Sequence, residues 1–345
     1  MNTIASVNQS IRTLNRVICS MALLLVFYAA IYSWQSWHEE KAAHINNLQN
    51  IMELVQKAID TYFTQLENSI HVLIHEIIET DDPIDIPHTF NLVKQFKESH
   101  PELFNVTFIR NDGQILFTAT APPDPTLPTL AQEPSFEKFR SELHESKPNS
   151  IGKPLLSLIS KEWIIPLRYV VSNKAGTSPY IISANLPVRI LQNYWKDAPF
   201  TKKSALGLMR DDGFLISRYP VPDRLEMEKI YGRPRTGALI NYLKQQNFPI
   251  KGYVEGPSSL DGPDHLNSFH RLEHFPITLF VAMPMSEIRV GWWNKVKAPY
   301  TLTAILMTDL VIAQKYGTCF EAKTLVLRDF YPSIGHIKIP LIGHL

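Results

Sequence analysis

Between Val17 and Trp34 the chain runs for 18 residues, VICSMALLLVFYAAIYSW, without a charged side chain. As a helix rising ~1.5 Å per residue this stretch spans about 27 Å, close to the hydrocarbon thickness of a bilayer. Arg12 and Arg16 precede it; His38, Glu39 and Glu40 follow. The positive-inside bias then keeps residues 1–16 in the cytoplasm and sends the following segment across the membrane. Tyr28, Tyr32, Trp34 and Trp37 fall where an outer aromatic belt would sit. A cleaved signal peptide has a core of ~7–15 apolar residues and a small-residue site after it. Ile31, Tyr32, Ser33 and Trp34 are too bulky for that site, so the expectation is an uncleaved transmembrane helix over 17–34.

A net charge of +1 over 345 residues gives nucleic acid no electrostatic reason to bind. The two cysteines, Cys19 and Cys319, flank a long cysteine-free middle. That middle makes no disulfide and holds no cysteine-based metal site, and its length suffices for an ordinary core.

From Gln35 to Asp82 there is neither proline nor glycine. Ile45, Leu48, Met52, Val55, Ile59, Tyr62, Leu66, Ile70, Leu73 and Ile77 recur at spacings of three and four, which predicts one helix from about Ser36 to Glu79. Its apolar stripe fits either packing on its own domain or a dimer seam, and periodicity does not choose between them. Asp81, Asp82, Pro83 and Pro87 end it. A second helix is expected over about 89–100. NVTFIR (105–110), Asn111-Asp112-Gly113 and QILFTAT (114–120) make a hairpin signal. The proline-rich 121–134 is a loop, and Phe136 and Phe139 have helical spacing within 135–144. Strands are expected over 162–171 and 180–186, with a turn at Asn173–Gly176.

The pattern then repeats. ALGLMR, Asp211-Asp212-Gly213 and FLISRY follow the first hairpin by about 100 residues, which suggests two copies of one α/β module. Strands over 250–255, 266–272 and 278–284 complete the second copy. A second apolar run, APYTLTAILMTDLVIA (298–313), is shorter than the first and carries Asp309, which costs ~2.5–3.5 kcal/mol if central in a bilayer. Trp292 and Trp293 resemble an interfacial anchor pair ahead of it, so 298–314 is read as a second, short transmembrane helix, with an interfacial helix as the alternative.

No catalytic constellation stands out. HVLIHE (71–76) places His71 and His75 one turn apart without the H-E-x-x-H order of a zinc protease. His265, His270 and His274 match no zinc spacing. There is no G-x-S-x-G elbow and no phosphate-binding glycine loop. Asp211-Asp212-Gly213 lacks the calcium-loop run. The expectation is no catalytic residue, no metal and no cofactor.

GLMRDDGFLISRYP (207–220) and FHRLEHFPITLFVAMP (269–284), with SFEKFR (135–140), SIGKP (150–154) and KEWIIPLRYV (161–170), resemble the bacterial double-Cache sensors. These are PAS-like periplasmic regions of membrane histidine kinases and diguanylate cyclases. The resemblance spans about residues 17–314. It implies an α+β fold: transmembrane helix 17–34, stalk helix 35–80, a membrane-distal Cache module 81–195, a membrane-proximal one 196–290, and the second anchor 298–314. Both modules carry antiparallel sheets. It also implies a bacterial inner-membrane protein whose residues 35–297 lie in the periplasm. The family continues into an output domain, whereas residues 315–345 carry no recognisable domain. A truncated chain and a drifted reading frame both remain open.

Within the distal module the best candidates for a ligand site are Phe136, Phe139, Arg140, Trp163, Arg168, Tyr169 and Asn185. A ligand with a carboxylate needs a fixed cation and an aromatic wall. Strand alternation sets Trp163, Ile165, Leu167 and Tyr169 on one face and Ile164, Pro166 and Arg168 on the other. The resemblance places the Arg at the pocket, so a bulge at Pro166 is needed if all three residues are to meet. Arg218, Tyr219 and Arg271 of the second module are expected to be structural. The reading is a sensor that is not itself an enzyme, with a small-molecule ligand, the lipid bilayer and a second copy through the stalk as partners. The alternatives are the input half of a truncated cyclase or kinase, and a dimeric structural adaptor.

Overall fold

Without proline or glycine to break it, α1 runs unbroken from Asn2 to Thr80. The structure, a computed structural model, describes residues 2–80, 84–143, 149–172, 180–191, 203–257, 262 and 264–330. The expected Asn173–Gly176 turn, the 195/196 module boundary and residues 331–345 of the tail lie outside the described residues. The chain divides into two compact units, one of Met1–Ala43 with Ile288–Leu345, the other of His44–Glu287.

In the first unit the N-terminal part of α1 lies antiparallel to α6 (Met285–Phe330). Gln314 Nε2 donates to Asn15 Oδ1 at 3.1 Å, and Trp292 Nε1 donates to the Ser33 carbonyl at 3.1 Å. Trp37 and Trp292 meet edge to face at 5.9 Å. Both helices are long and apolar enough to cross a membrane by length and composition. Leu23, Leu24 and Phe27 are all well exposed.

Among its described residues the second unit shows two sheets. The first has strands β1 (Asn105–Arg110), β2 (Ile115–Thr118), β3 (Asn149–Ile151), β4 (Leu155–Leu156), β5 (Trp163–Val171) and β6 (Tyr180–Pro187), ordered β2-β1-β6-β5-β3, with β4 also on β5. The second has β7 (Ala205–Arg210), β8 (Leu215–Tyr219), β9 (Lys251–Pro257), β10 (Asp264–Arg271) and β11 (Ile277–Pro284), ordered β8-β7-β11-β10-β9. All pairings are antiparallel. Helices α2 (Ile86–Ser99) and α3 (Pro134–Leu143) belong to the first module, α4 (Met227–Tyr231) and α5 (Ala238–Gln245) to the second. The sequence reading lacked β3, β4, α4 and α5. Each is short, with too few residues for a periodic pattern to form.

The repeat holds down to single hydrogen bonds. Gly113 N–H donates to Arg110 O at 2.8 Å, and Gly213 N–H to Arg210 O at 2.9 Å. Arg110 pairs with Asp112, and Arg210 with Asp212. Both hairpins shift register at the same place, Phe108/Ile109 and Leu208/Met209. Gly113 and Gly213 have φ of 98° and 91°, values that L side chains rarely adopt, which is why glycine follows each acid.

The chain itself buries the stalk stripe. Ile45, Leu48, Met52, Val55 and Ile59 are buried, as are Leu66, Ile70, Leu73 and Ile77, while Tyr62 is half-buried. Phe63 meets Phe275 at 5.5 Å and His71 meets Tyr169 edge to face at 5.6 Å. The β10–β11 turn is pinned to α1 by His274, whose backbone N–H donates to Asp60 Oδ1 at 3.2 Å and whose Nδ1 lies 2.5 Å from Asp60 Oδ2. Of the two roles open to the stripe, packing on its own domain is the one it performs.

Candidate functional site

Alternation along β5 sorts the candidates. Tyr169 faces α1 through His71, and Trp163 reaches Tyr231 of the second module at 6.0 Å. Burial pushes the Tyr169 hydroxyl's pKa up, with the Glu67 charge adding to it. Ile164, Pro166 and Arg168 face the other way, into a cavity of about 140 Å³. No bulge brings the two sets together, since β5 pairs with β6 in unbroken register from Ile164 to Val171.

Arg168 and Asn185 line the cavity; Trp163 and Tyr169 do not. Phe136 and Phe139 are buried in a cluster with Ile109, Ile115 and Ile181. They bear on the site from beneath, with the Arg168 guanidinium 5.5 Å and 6.0 Å from their ring centres. Arg140 is exposed on α3.

The sequence reading missed Glu133 and Ser135, which hold Arg168. Arg168 Nη1 donates to the Ser135 carbonyl at 2.7 Å and to its hydroxyl oxygen at 3.0 Å; Nη2 donates to Glu133 Oε2 at 3.2 Å. Glu133 also caps α3: its carboxylate accepts the backbone N–H of Ser135 at 3.0 Å and of Phe136 at 2.8 Å. The signal was present in an acid directly before Pro134 at the first helical position. Arg168 is 3% exposed, and burial lowers its pKa while the Glu133 charge works against that.

The remaining polar wall comes from β1 and β6. Asn185 Nδ2 donates to Thr107 Oγ1 at 3.2 Å, and Ser183 Oγ donates to Asn185 Oδ1 at 3.0 Å. Leu155, Leu156, Leu158 and Ile159 form the opposite, apolar wall; the last three are 44–46% exposed.

The second module holds different residues at the same place. Thr107 pairs with Ser183, Gly207 with Phe280; Arg168 pairs with Ser183, Phe269 with Phe280. Phe269, Phe280 and Ala282 therefore stand where the first module has Arg168, Ser183 and Asn185. Phe280 lies over Gly207, where a Cβ would come within 2.9 Å of its ring, and Phe269 over Gly252, where a Cβ would come within 2.8 Å. The space left beside Met209, Leu215 and Phe280 is about 60 Å³.

No sequence-family model matches the chain, and no curated protein sequence does either. Solved structures do. The extracellular domain of the candidate histidine kinase rpHK1S-Z16 superposes with a TM-score of 0.57 at 16% identity, over 73% of this chain and 98% of that one. The sensory domain of the Campylobacter jejuni chemoreceptor Tlp3 gives 0.51 at 13% identity, over 74% and 98%. The ligand-binding domain of the Pseudomonas aeruginosa amino acid chemoreceptor PctB, in complex with L-Arg, gives 0.51 at 12% identity, over 70% and 95%. The fold is the double-Cache fold of sensory domains.

Proposed function

We propose that this chain is a membrane-anchored sensor whose distal module, residues 81–195, binds a small molecule in the Arg168 cavity. The observation that carries the reading is the contrast between the two modules: the distal cavity of about 140 Å³ is lined by Arg168, Ser183 and Asn185, whereas Phe269, Phe280 and Ala282 hold those positions in the proximal module and leave about 60 Å³. A buried cation beside aligned amide and hydroxyl groups recognises a carboxylate. Glu133 on the same wall suits an ammonium group, and Leu155, Leu158 and Ile159 suit an apolar tail. An amino acid combines all three, and PctB and Tlp3 offer precedents: PctB in complex with L-Arg, Tlp3 with 4-methylisoleucine.

In this reading 17–34 and 298–314 cross the bacterial inner membrane, and 35–297 is periplasmic. Residues 35–80 form the stalk and 196–290 the proximal module. The exposed apolar surface of Leu23, Leu24 and Phe27 supports the first crossing. A homodimer through the stalk uses the helix face left free by the buried stripe, where Leu54 and Val72 are 72% and 68% exposed. Ligand binding shifts the stalk only through a difference in affinity between two arrangements.

The test is calorimetric titration of the full chain in lipid nanodiscs with a panel of L-amino acids. Replacing Arg168 with Ala removes a charge-assisted bond of about 1.5–3 kcal/mol, a loss of roughly 10–150-fold. Asn185→Leu removes the cavity's amide group and leaves the Glu133–Arg168 pair in place. Binding that survives both variants refutes the site.

A further inference from the structure

A second cavity, of about 230 Å³, lies where the two modules meet. Ser135, Lys138 and Phe139 of α3 form one side with Lys153; Arg210, Asp212 and Phe214 of the β7–β8 hairpin form the other. Its described lining carries three cations, Lys138, Lys153 and Arg210, against one carboxylate, Asp212, a balance of +2.

That carboxylate is already engaged on two sides. Arg210 Nε and Nη2 donate to it at 3.2 Å and 3.0 Å, and Lys138 Nζ at 3.1 Å. Arg210 Nη1 donates to the Ile151 carbonyl of the first module. Lys153 Nζ stands 5.0 Å over the Phe214 ring. Burial lowers the Arg168 pKa most, and the Arg210 charge adds to that lowering. Both cavities share the Ser135 turn: Ser135 lines the junction and holds Arg168 through its carbonyl and hydroxyl oxygens.

We infer that this junction cavity is a second binding site, for a small dianion of the phosphate or dicarboxylate class. The anion offsets the surplus charge, accepts from Lys138 and Lys153, and ties the two modules together through groups from each. On the distal-site reading above, the dianion sets like charge near a carboxylate held by Arg168, so an occupied junction weakens carboxylate binding in the distal cavity, and the linkage runs both ways.

The experiment is calorimetric titration of the full chain in nanodiscs with inorganic phosphate, then with succinate, at fixed ionic strength set by chloride. Saturable binding of either dianion is expected, weakened about tenfold or more by Lys153→Gln. Lys153→Gln changes one half-exposed side chain and leaves the fold intact. The same titration on Asn185→Leu, which alters the distal cavity and no lining residue of the junction, should give an unchanged junction affinity. Absence of saturable binding by both dianions overturns the inference. So does equal affinity in wild type and Lys153→Gln, or loss of binding in Asn185→Leu.

Discussion

Arg168 Nη2 lies 3.2 Å from Glu133 Oε2, although 35 residues separate the two in the chain. The contact does two jobs. It neutralises a guanidinium that is almost entirely out of water, and it fixes the N-terminal turn of α3, which Glu133 caps. Breaking a buried pair from one side leaves an uncompensated charge and costs about 3–5 kcal/mol. Glu133→Gln should therefore lower the unfolding free energy by about 3 kcal/mol, while Glu133→Gln with Arg168→Met costs less than the two single changes summed. Denaturant melts of the four proteins give the coupling; strict additivity would show that the pair is not coupled.

Phe280 tests the idea of a plugged proximal module. Truncation to Ala opens the space over Gly207 and should cost about 3–5 kcal/mol. The new space joins a pocket with Met209, Leu215 and Ala282 on its apolar side and Arg218, Arg235 and Asn267 on its polar side, so the variant should take up benzene or xenon more readily than wild type. A variant that melts like wild type and binds neither would mean that the ring fills nothing.

The His274–Asp60 contact gives the hairpin a pH-dependent hold on α1. Hydrogen bonding to Asp60 and the Asp60 charge raise the His274 pKa above its ordinary value of 6.5, with Glu273 and Glu67 adding smaller pulls and burial opposing. A raised folded-state pKa means that the contribution is fully present below pH 6.5 and fades as pH climbs through the folded value. The melting-temperature gap between wild type and His274→Asn should be widest near pH 5.5 and narrow toward pH 8.5. A gap that stays constant over that range removes the ionic component.

Opposite faces of the stalk should answer differently. Ile59 is fully buried within the chain, so Ile59→Ala should cost about 2–5 kcal/mol whatever the oligomeric state. Leu54 is 72% exposed, and Leu54→Lys should change stability by no more than about 0.5 kcal/mol. If the outer face joins two copies, Leu54→Lys with Val72→Lys converts dimer to monomer in light scattering. An unchanged mass would place the dimer contact elsewhere.

Asp212 sets the acid limit of the module junction. Burial pushes its carboxyl up, but hydrogen bonds and charges from Arg210 and Lys138 outweigh that and hold it below the ordinary carboxylate range. Its depressed pKa stabilises above about pH 4 and is lost as pH falls through the folded value. Hydrogen exchange at the β7–β8 hairpin should rise at acid pH in wild type and be less pH-dependent in Asp212→Asn.

What one strand or one helix could reveal, the residues already revealed. Spacings of three and four drew α1, the Asp-Gly turns drew both hairpins, and the offset of about 100 residues drew the two modules, because these patterns are local and periodic. Alternation even placed Arg168 opposite Trp163 and Tyr169. Which face met a cavity was a different matter. It depended on α1 covering the Tyr169 face, on Glu133 returning from another segment to hold Arg168, and on Phe269 and Phe280 filling the second module's space over Gly252 and Gly207. Those are contacts between residues far apart in the chain, created only when separate elements exclude water together, and no local period encodes them.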